Sequence, residues 1–345
     1  MQNNVIIRMA FFLLSMGSFF IFTFLFLLSS CTPSLSFTPS STSNETTSSS
    51  STNNTSPLKI IAIDIGQGDA TLVVTPSGKT FLIDAGPVES GTNVILPLLS
   101  GMGIDSIDFF FPSQYDADHI GGFAEVVAGA DQTLDTSDDF LPQITYDRGS
   151  AKADAGEVFE NYINAIGNTR TTLHAGDIIN MDDGILLTCF IINGETTDGV
   201  KTSLADDDEN GHSIGLLLSY GSFRYFTAGD LTGGGLGTVD LESQVAPQVG
   251  VVDVLHVNHH GSSSSSNTFY LQTLQPKVAL VSVGDGNLYG HPTVTTLSHL
   301  NEAGAEIYQT ETGNGALFPS AHIVDGSITI EVNENGDYLV NGDEY

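Results

Sequence analysis

The sequence predicts an α/β sandwich made of short strands rather than a doubly wound parallel sheet. From residue 58 onward, three or four short apolar, β-prone runs precede the first polar loop that carries metal-binding residue types. That loop, residues 113–122, follows a buried-strand pattern and leads into a helix pattern. The second half of the chain repeats this order of strands and polar loops. Strands grouped in this way favour a packed sandwich.

In the first half of the folded region, apolar runs bounded by Gly, Pro and Asp mark the strands. In the last helix of this half, Val158, Tyr162 and Ile166 recur at helical spacing and share one face. The predicted strands are 58–65, 70–75, 80–83 and 107–112, and the predicted helices are 94–102, one that begins near Phe123, and 154–167.

The second half continues with the same patterns. One acidic loop, 131–139, precedes the helix at 154–167, and a second, 194–211, follows the strand at 186–192. Residues 131–139 offer closely spaced carboxylates for calcium, but they lack a complete calcium-loop signature, so we expect a solvated loop. The predicted strands are 186–192, 213–219, 224–227, 252–257, 278–283 and 328–332, and residues 302–306 are predicted to close a helix.

The composition is strongly acidic. Asp and Glu total 41 against 9 Lys and Arg, which gives a formal net charge of −32. Proteins that bind nucleic acid tightly normally carry a basic surface, so we expect no stable nucleic-acid complex. An excess of carboxylates fits solubility in a salty or extracellular setting.

The N-terminal residues predict export and membrane attachment. Residues 1–30 read as a signal peptide of the lipoprotein type, because a long apolar run ends in Leu28-Ser-Ser-Cys31, which resembles a bacterial lipobox. Cys31 would then carry the lipid and become the mature N-terminus. An uncleaved signal anchor is the alternative. In both cases we expect a protein of the cell envelope or the extracellular side whose partner is a membrane.

Residues 31–57 consist almost entirely of Ser, Thr, Pro and Asn. Such a segment cannot bury enough apolar surface to offset chain entropy, so it predicts a disordered tether. The folded domain is predicted to occupy residues 58–345.

Four apolar runs end in side chains that can bind a metal. Asp and His are ligands for divalent cations, and the ends of separate strands can meet at one edge of a sandwich. The order of these groups along the chain therefore predicts a metal centre. The candidate residues are Asp116, Asp118, His119, Asp230, His259, His260 and His291.

The motifs together resemble the metallo-β-lactamase-fold domain of the ComEC competence proteins. The resemblance covers roughly residues 60–312, and it implies an αββα sandwich with a metal centre at one edge and hydrolase chemistry, often on phosphodiesters. It rests on Asp64-Ile-Gly-Gln-Gly-Asp69, Ile83-Asp-Ala-Gly86, the 113–122 loop, Asn210-Gly-His-Ser213, Ala228-Gly-Asp230, His259-His-Gly-Ser262 and Tyr289-Gly-His-Pro292.

The resemblance also implies roles for the candidate residues. Asp118 and His119 would bind the second metal of a pair, Asp230 would bridge the two metals, and either His259 or His260 would complete the second site. Asp84 would support the central loop from behind the ligands. Asp64 and Asp69 are expected at structural or rim positions. His291 is expected either to act on substrate or a proton, or to be structural.

One position departs from the family pattern. The family has Ser-His at the start of the central loop, whereas this chain has Ser113-Gln114, and an amide binds divalent ions poorly compared with imidazole. Asp116 remains there as a ligand, and Asn210 matches the family. We expect that His212 does not replace the missing ligand. The first site is therefore weakened, and we expect about one tightly bound ion per chain. Zinc or manganese is favoured, with magnesium as a further candidate.

Two functions remain open at this point. The first is a ComEC-like metal-dependent hydrolase, a phosphodiesterase or nuclease, in which Asp116 or Asp118 orients or deprotonates a metal-activated water. Its substrate would be nucleic acid or another phosphodiester. The second is a catalytically impaired binding protein that keeps the fold with a degenerate first metal site. Gln114 and the absence of a basic groove favour the second; the intact second site favours the first.

Overall fold

The structure is a computed structural model that describes residues 56–153, 155–316 and 318–345. The predicted signal peptide, the lipidation residue Cys31 and all but the end of the predicted tether lie outside these ranges. Within them, no helix combines the length and the apolar character needed to cross a membrane.

Eighteen strands form two nine-stranded sheets in the described ranges. The first sheet has the order β18-β17-β16-β1-β2-β3-β4-β5-β6, and the second has the order β15-β14-β13-β12-β11-β10-β8-β7 with β9 paired to β8. The strands are β1 (Leu58–Ala62), β2 (Thr71–Val74), β3 (Thr80–Ile83), β4 (Phe109–Phe111), β5 (Ile144–Asp147), β6 (Arg170–Thr172), β7 (Ile178–Asn180), β8 (Ile185–Ile192), β9 (Glu195–Thr196), β10 (Gly215–Tyr220), β11 (Phe223–Thr227), β12 (Val254–His256), β13 (Val278–Val281), β14 (Glu306–Gln309), β15 (His322–Ile323), β16 (Ile328–Val332), β17 (Tyr338–Val340) and β18 (Asp343–Glu344).

Each sheet changes from antiparallel to parallel pairing partway across. In the first sheet, β1, β2 and β3 are antiparallel neighbours, and β3 to β6 are parallel. In the second sheet, β8, β10 and β11 are antiparallel, and β11 to β15 are parallel. Loops that leave parallel strands at their carboxyl ends lie at one edge of each sheet, and these loops carry most of the candidate ligands.

Seven α-helices cover the outer faces of the two sheets. The helices α1 to α4 share a core with the first sheet, and α5 to α7 share one with the second. Asn267 and Thr293 cap α6 and α7 by accepting hydrogen bonds from backbone N–H groups. The helices are α1 (Leu96–Met102), α2 (Ala117–Ile120), α3 (Phe123–Val127), α4 (Glu157–Ile166), α5 (Glu242–Val249), α6 (Thr268–Leu274) and α7 (Val294–Ala303).

A third core lies between the sheets, and β1 explains how one strand serves two cores. Leu58 and Ile60 point into the space between the sheets, whereas Ile61 and Ile63 point toward the helices. A strand buried on both faces needs a nearly continuous apolar sequence, and this strand has one. The layers are therefore helix, sheet, sheet, helix, which confirms the predicted α/β sandwich.

Several predicted elements differ from those in the structure. Residues 302–306 were expected to close a helix, but α7 ends at Ala303 and Glu306 begins β14. The predicted helix at 94–102 begins earlier, with a π-helical turn at Gly91–Ile95. The sequence patterns did not reveal α5, which contains Pro247, or α6, whose aromatic residues also suit strands.

Candidate metal centre

Four buried side chains converge where loops leave the ends of strands in the two sheets. Ligand-capable atoms of Asp69, His119, Asp230 and His260 all lie within 4.8 Å of one another. Asp69 precedes β2, His119 lies on α2 after β4, Asp230 follows β11, and His260 follows β12. We call these four residues the metal cluster.

The metal cluster suits a divalent cation. Asp69 Oδ1, His119 Nε2, Asp230 Oδ1 and His260 Nε2 are all buried, and none of them makes a hydrogen bond within the described part of the chain. Buried polar atoms are nearly always paired, so unpaired atoms that point toward one another indicate a missing partner. Two carboxylates and two imidazoles are a donor set that zinc, manganese and iron accept.

The two oxygens of Asp230 face different histidines. Its Oδ1 lies 3.3 Å from His119 Nε2 and 3.6 Å from His260 Nε2, and its Oδ2 lies 3.6 Å from His259 Nε2. This placement suits a bridging carboxylate. It also separates the two candidate histidines, because His260 is in the buried cluster and His259 lies on the other side of Asp230.

The two aspartates of the central loop point in different directions. Asp118 Oδ2 lies 3.4 Å from His260 Nε2, and the side chain is 31% exposed, so Asp118 borders the cluster on its open side. Asp116 precedes α2 and forms an ion pair with Lys152 instead. The structure therefore brings Asp118 to the cluster but does not bring Asp116 there.

Asp84 supports the cluster from behind His119. Its Oδ2 lies 3.0 Å from His119 Nδ1, and its two oxygens accept hydrogen bonds of 2.6 Å from the backbone and the hydroxyl of Ser113. The carboxylate keeps the proton on Nδ1 and leaves Nε2 directed at the cluster. Gly229 is needed beside this contact, because a Cβ there would lie 2.4 Å from the Ser113 hydroxyl oxygen.

Asp69 belongs to the cluster, whereas the sequence interpretation gave it only a structural or rim position. The tight loop before it docks on the central loop: the Asp69 N–H donates to Asp118 O at 3.1 Å, and a Cβ on Gly68 would lie 2.4 Å from that oxygen. A Gly-x-Gly-Asp turn next to a buried strand is the sequence feature that could have indicated this docking.

His256 is a buried histidine that the sequence interpretation did not single out. Its Nδ1 lies 2.8 Å from Tyr225 Oη, and its Nε2 lies 2.8 Å from Ser282 Oγ and 3.5 Å from Asp69 Oδ1. Asp69 Oδ1 is also 3.6 Å from His260 Nδ1. Asp69 therefore lies between His256 and His260, and His256 helps to hold its carboxylate in place.

The electrostatics of the cluster favour bound positive charge. Burial disfavours the charged form of His119, but Asp230, Asp84 and Asp118 outweigh burial and raise the pKa of His119 well above its usual value. Burial likewise opposes charge on His260, and Asp230 and Asp69 raise the pKa of His260 well above its usual value. Without a metal, the cluster therefore holds protons that a cation would replace.

His291 lies next to the cluster and is almost buried. Its ring centroid is 5.4 Å from that of His259 and 6.4 Å from that of His260, and its Nδ1 has no hydrogen-bond partner among the residues that the structure describes. Burial, together with the charges of His259 and His260, lowers the pKa of His291 to about 4. The side chain of Asn287 accepts from the His291 N–H and donates to its carbonyl oxygen.

The remaining candidates lie on two neighbouring segments, which are joined by a 2.8 Å hydrogen bond from Ile214 N to Ser113 O. Gln114 is fully buried, and neither atom of its amide has a partner in the described residues. Asn210 begins a 3-10 turn, Asn210–His212, and is partly exposed. The metal cluster does not include His212.

No family model matches the sequence. ComE operon protein 3 of Bacillus subtilis (strain 168) is 27% identical over 271 residues, which cover 74% of this chain and 32% of that protein. Competence protein ComA of Neisseria gonorrhoeae is 28% identical over 256 residues, which cover 74% of this chain and 31% of that protein. The chain thus spans about a third of the length of the curated relatives it matches.

Solved structures with a similar arrangement include zinc-bound PqqB from Methylobacterium extorquens. The similarity has a TM-score of 0.42 at 13% identity, and it covers 72% of this chain and 86% of that one. The layers of the present chain, helix, sheet, sheet and helix, are those of the predicted fold class. The protein is an αββα sandwich, the architecture expected of the metallo-β-lactamase-type fold.

Proposed function

We propose that the protein is a metal-dependent hydrolase that cleaves phosphodiesters. The observation that carries this proposal is the convergence of four unpaired, buried ligand atoms in the metal cluster. The similarity to competence proteins supports a nucleic acid or another phosphodiester as the substrate. Zinc or manganese is the proposed ion, with magnesium as a further candidate, and about one ion is held tightly.

The residues in and around the cluster have different roles. A divalent cation held by the cluster would act as a Lewis acid and lower the pKa of water. Asp84 fixes the orientation of His119, and Asp69 lies against His260. Asp118, on the open side, is placed to orient an entering water or to accept its proton.

One sequence-based assignment, that of Asp116, changes in this proposal, and the role of His291 is kept. Asp116 forms an ion pair with Lys152, so we propose that it holds the loop in place rather than binding a metal or transferring a proton. His291 keeps its proposed contact with substrate, because its unpaired Nδ1 is next to His259 and His260.

A binding protein without catalytic activity is the second candidate. Gln114 favours it, since this neutral amide occupies the place where the family pattern has a histidine, and it is fully buried. Such a protein would hold one ion and a ligand without turnover.

The test combines metal analysis with a phosphodiesterase assay on bis(p-nitrophenyl) phosphate. Asp230→Ala should lose bound metal and activity while the circular dichroism spectrum is retained. Asp105→Asn, which changes an exposed carboxylate of the loop after α1, should keep both metal and activity. Full metal content in Asp230→Ala would contradict the proposed cluster, and metal binding without hydrolysis would favour the binding protein.

We also propose that Cys31 carries a lipid and that the folded domain lies on the outer side of a membrane, in the cell envelope or extracellular space. The support is the lipobox-like Leu28-Ser-Ser-Cys31 and the Ser/Thr-rich segment after it. A tether of this kind would let the domain act near the membrane surface.

A further inference from the structure

The three most exposed large apolar side chains in the described ranges flank the same segment. Leu288 is 97% exposed, Leu236 is 81% exposed and Tyr289 is 70% exposed. Their two loops pack against residues 259–264, which include His259 and His260. We call these three side chains the apolar rim. Singly exposed apolar residues are common on protein surfaces, but these three belong to loops that contact the segment carrying His259 and His260.

The loop that carries Leu288 and Tyr289 is held in place by Asn287. The Asn287 side chain accepts from the N–H groups of Tyr289 and His291, and it donates to the carbonyls of Gly284 and His291. Asn314 donates a further 2.7 Å hydrogen bond to the Asn287 carbonyl. The exposed residues are therefore presented on a fixed turn.

The loop that carries Leu236 is equally well packed. The Gly233 N–H donates to Ser264 O at 2.8 Å, and a Cβ on Gly235 would lie 2.0 Å from Ser263 O. Leu236 itself has a φ of 56°, a left-handed conformation that is uncommon for a branched apolar residue. The fold thus holds Leu236 outward next to the His259 segment.

A series of rings connects the apolar rim to the metal cluster. The Tyr289 ring stacks on His291 with centroids 5.7 Å apart and an interplanar angle of 26°. The His291 ring in turn lies 6.4 Å from that of His260, at 27°. Tyr289 therefore borders the approach to the cluster, where it offers a flat apolar face to a bound molecule.

The charges around a cavity next to Asp116, on the loop that also carries Asp118, disfavour long polyanions. A cavity of about 300 Å³ borders Asp116 and Asn210, and Lys152 is the one cation among the described residues that line it. Lys152 is already paired with Asp116. Three aspartates, Asp206, Asp207 and Asp208, face the same cavity. A nucleic-acid strand would meet net negative charge there, so recognition must rely on other contacts.

We propose that the apolar rim binds the planar group of a small phosphodiester, the ring of an aryl ester or the base of a nucleoside ester, while the metal cluster receives its phosphate. This inference rests on the proposed function. Stacking of a planar group on an exposed aromatic ring contributes about 1–3 kcal/mol in single-stranded nucleic-acid sites. Contacts of this kind give affinity without basic residues, which matches the charge of this site.

The test measures, by calorimetry, binding of two phosphate monoesters to the full-length, metal-loaded protein; a monoester is the product that hydrolysis of such a diester leaves, and it is not itself a diester that the proposed activity would consume. Phenyl phosphate offers a planar group and methyl phosphate does not. Tyr289→Ala should weaken phenyl phosphate about 5- to 10-fold and leave methyl phosphate unchanged. Tyr289→Phe should retain phenyl phosphate binding. Val251→Ala, a change at another exposed apolar residue, is the matched control and should alter neither ligand.

If Tyr289→Ala weakened binding of both ligands equally, Tyr289 would only support the cluster. If it weakened binding of neither ligand, the apolar rim would have no role in ligand recognition. Both results overturn the proposal, as does a wild-type protein that binds neither ligand. A change in sedimentation or in vesicle binding for Leu236→Ala and Leu288→Ala, with ligand affinity unchanged, would assign the rim to a macromolecular surface instead. If the protein bound phenyl phosphate selectively but hydrolysed no diester, the proposed role of the apolar rim would be supported and the proposed hydrolase activity would be contradicted.

Discussion

Asp84 Oδ2 lies 3.0 Å from His119 Nδ1, on the side of the ring opposite the metal cluster. Both side chains are buried, so water cannot replace this contact. Asp84 itself has a φ of 59°, an uncommon conformation that turns its carboxylate toward Ser113 and His119. The orientation of one ligand is thus fixed by a residue at the end of β3.

Asp84→Asn should weaken metal binding about 10- to 100-fold, because an amide no longer favours the ring tautomer that directs Nε2 at the cluster. Competition with a chromogenic chelator measures the affinity. Ser113→Ala removes only a hydroxyl donor to the same carboxylate and should have a smaller effect. Equal metal affinity in Asp84→Asn and the wild type would contradict the supporting role.

The sequence predicted the layers of this fold because burial leaves a clear pattern. The apolar run at β1 supplies both cores, and Asp230 and His260 each follow a strand, so their convergence could be expected. These inferences require only the positions of the strands and of their ends. They do not require the direction of any individual side chain.

The differences between the expected and the observed positions concern side-chain direction and loop docking, which spacing along the chain does not encode. Asp116 and Asp118 are two residues apart, yet only Asp118 faces the cluster, because Asp116 turns to Lys152. Asp69 joins the cluster through a loop contact 49 residues away, at Asp118 O. His256 ends a buried strand, where a histidine has no distinctive pattern.

Cys31→Ala should abolish incorporation of labelled fatty acid into the protein in its producing cells. The expectation follows from Leu28-Ser-Ser-Cys31, in which Cys31 is the residue that a lipoprotein signal would modify. Cys189→Ala is the control, because Cys189 is buried and should not affect labelling. Unchanged labelling in Cys31→Ala would contradict the predicted anchor.

Metal uptake should release protons. The carboxylates around His119 and His260 raise the pKa values of both rings well above their usual values in the metal-free protein, so a cation that binds these rings competes with protons. Binding of a cation should therefore release protons, and the metal affinity should fall as the pH decreases. Calorimetric titrations in buffers of different ionisation enthalpy measure the proton count. Binding heats that do not depend on the buffer would contradict this expectation.

The purified protein should retain about one equivalent of zinc through dialysis, because Gln114 offers no imidazole to a first site. Gln114→His should raise the occupancy of a second equivalent, and it should also relieve an amide that is buried without a partner, which costs about 1–3 kcal/mol. Elemental analysis of both proteins measures the difference. Two equivalents in the wild type would show that Gln114 does not weaken the site.

The buried carboxylate of Glu242 makes the stability of the folded protein depend on pH. It contacts the segment that carries His259 and His260. Its carboxylate is fully buried at the start of α5 and accepts hydrogen bonds from Asn258 Nδ2 at 2.8 Å, Ser266 N at 2.6 Å and Asn267 N at 2.9 Å. Burial raises the pKa of Glu242 to about 7, against an ordinary value of 4.5, although the three donors oppose the shift.

Because the pKa of Glu242 is raised in the folded state, its contribution to stability is full below about pH 4.5 and is lost as the pH rises through about 7. The loss amounts to about 3 kcal/mol at most. Glu242→Gln imitates the protonated form and should remove this part of the pH dependence. Urea unfolding at pH 5 and pH 8 compares the two proteins, and the variant should lose less free energy of unfolding between them. Parallel pH profiles would mean that Glu242 stays ionised, with its three N–H donors outweighing burial.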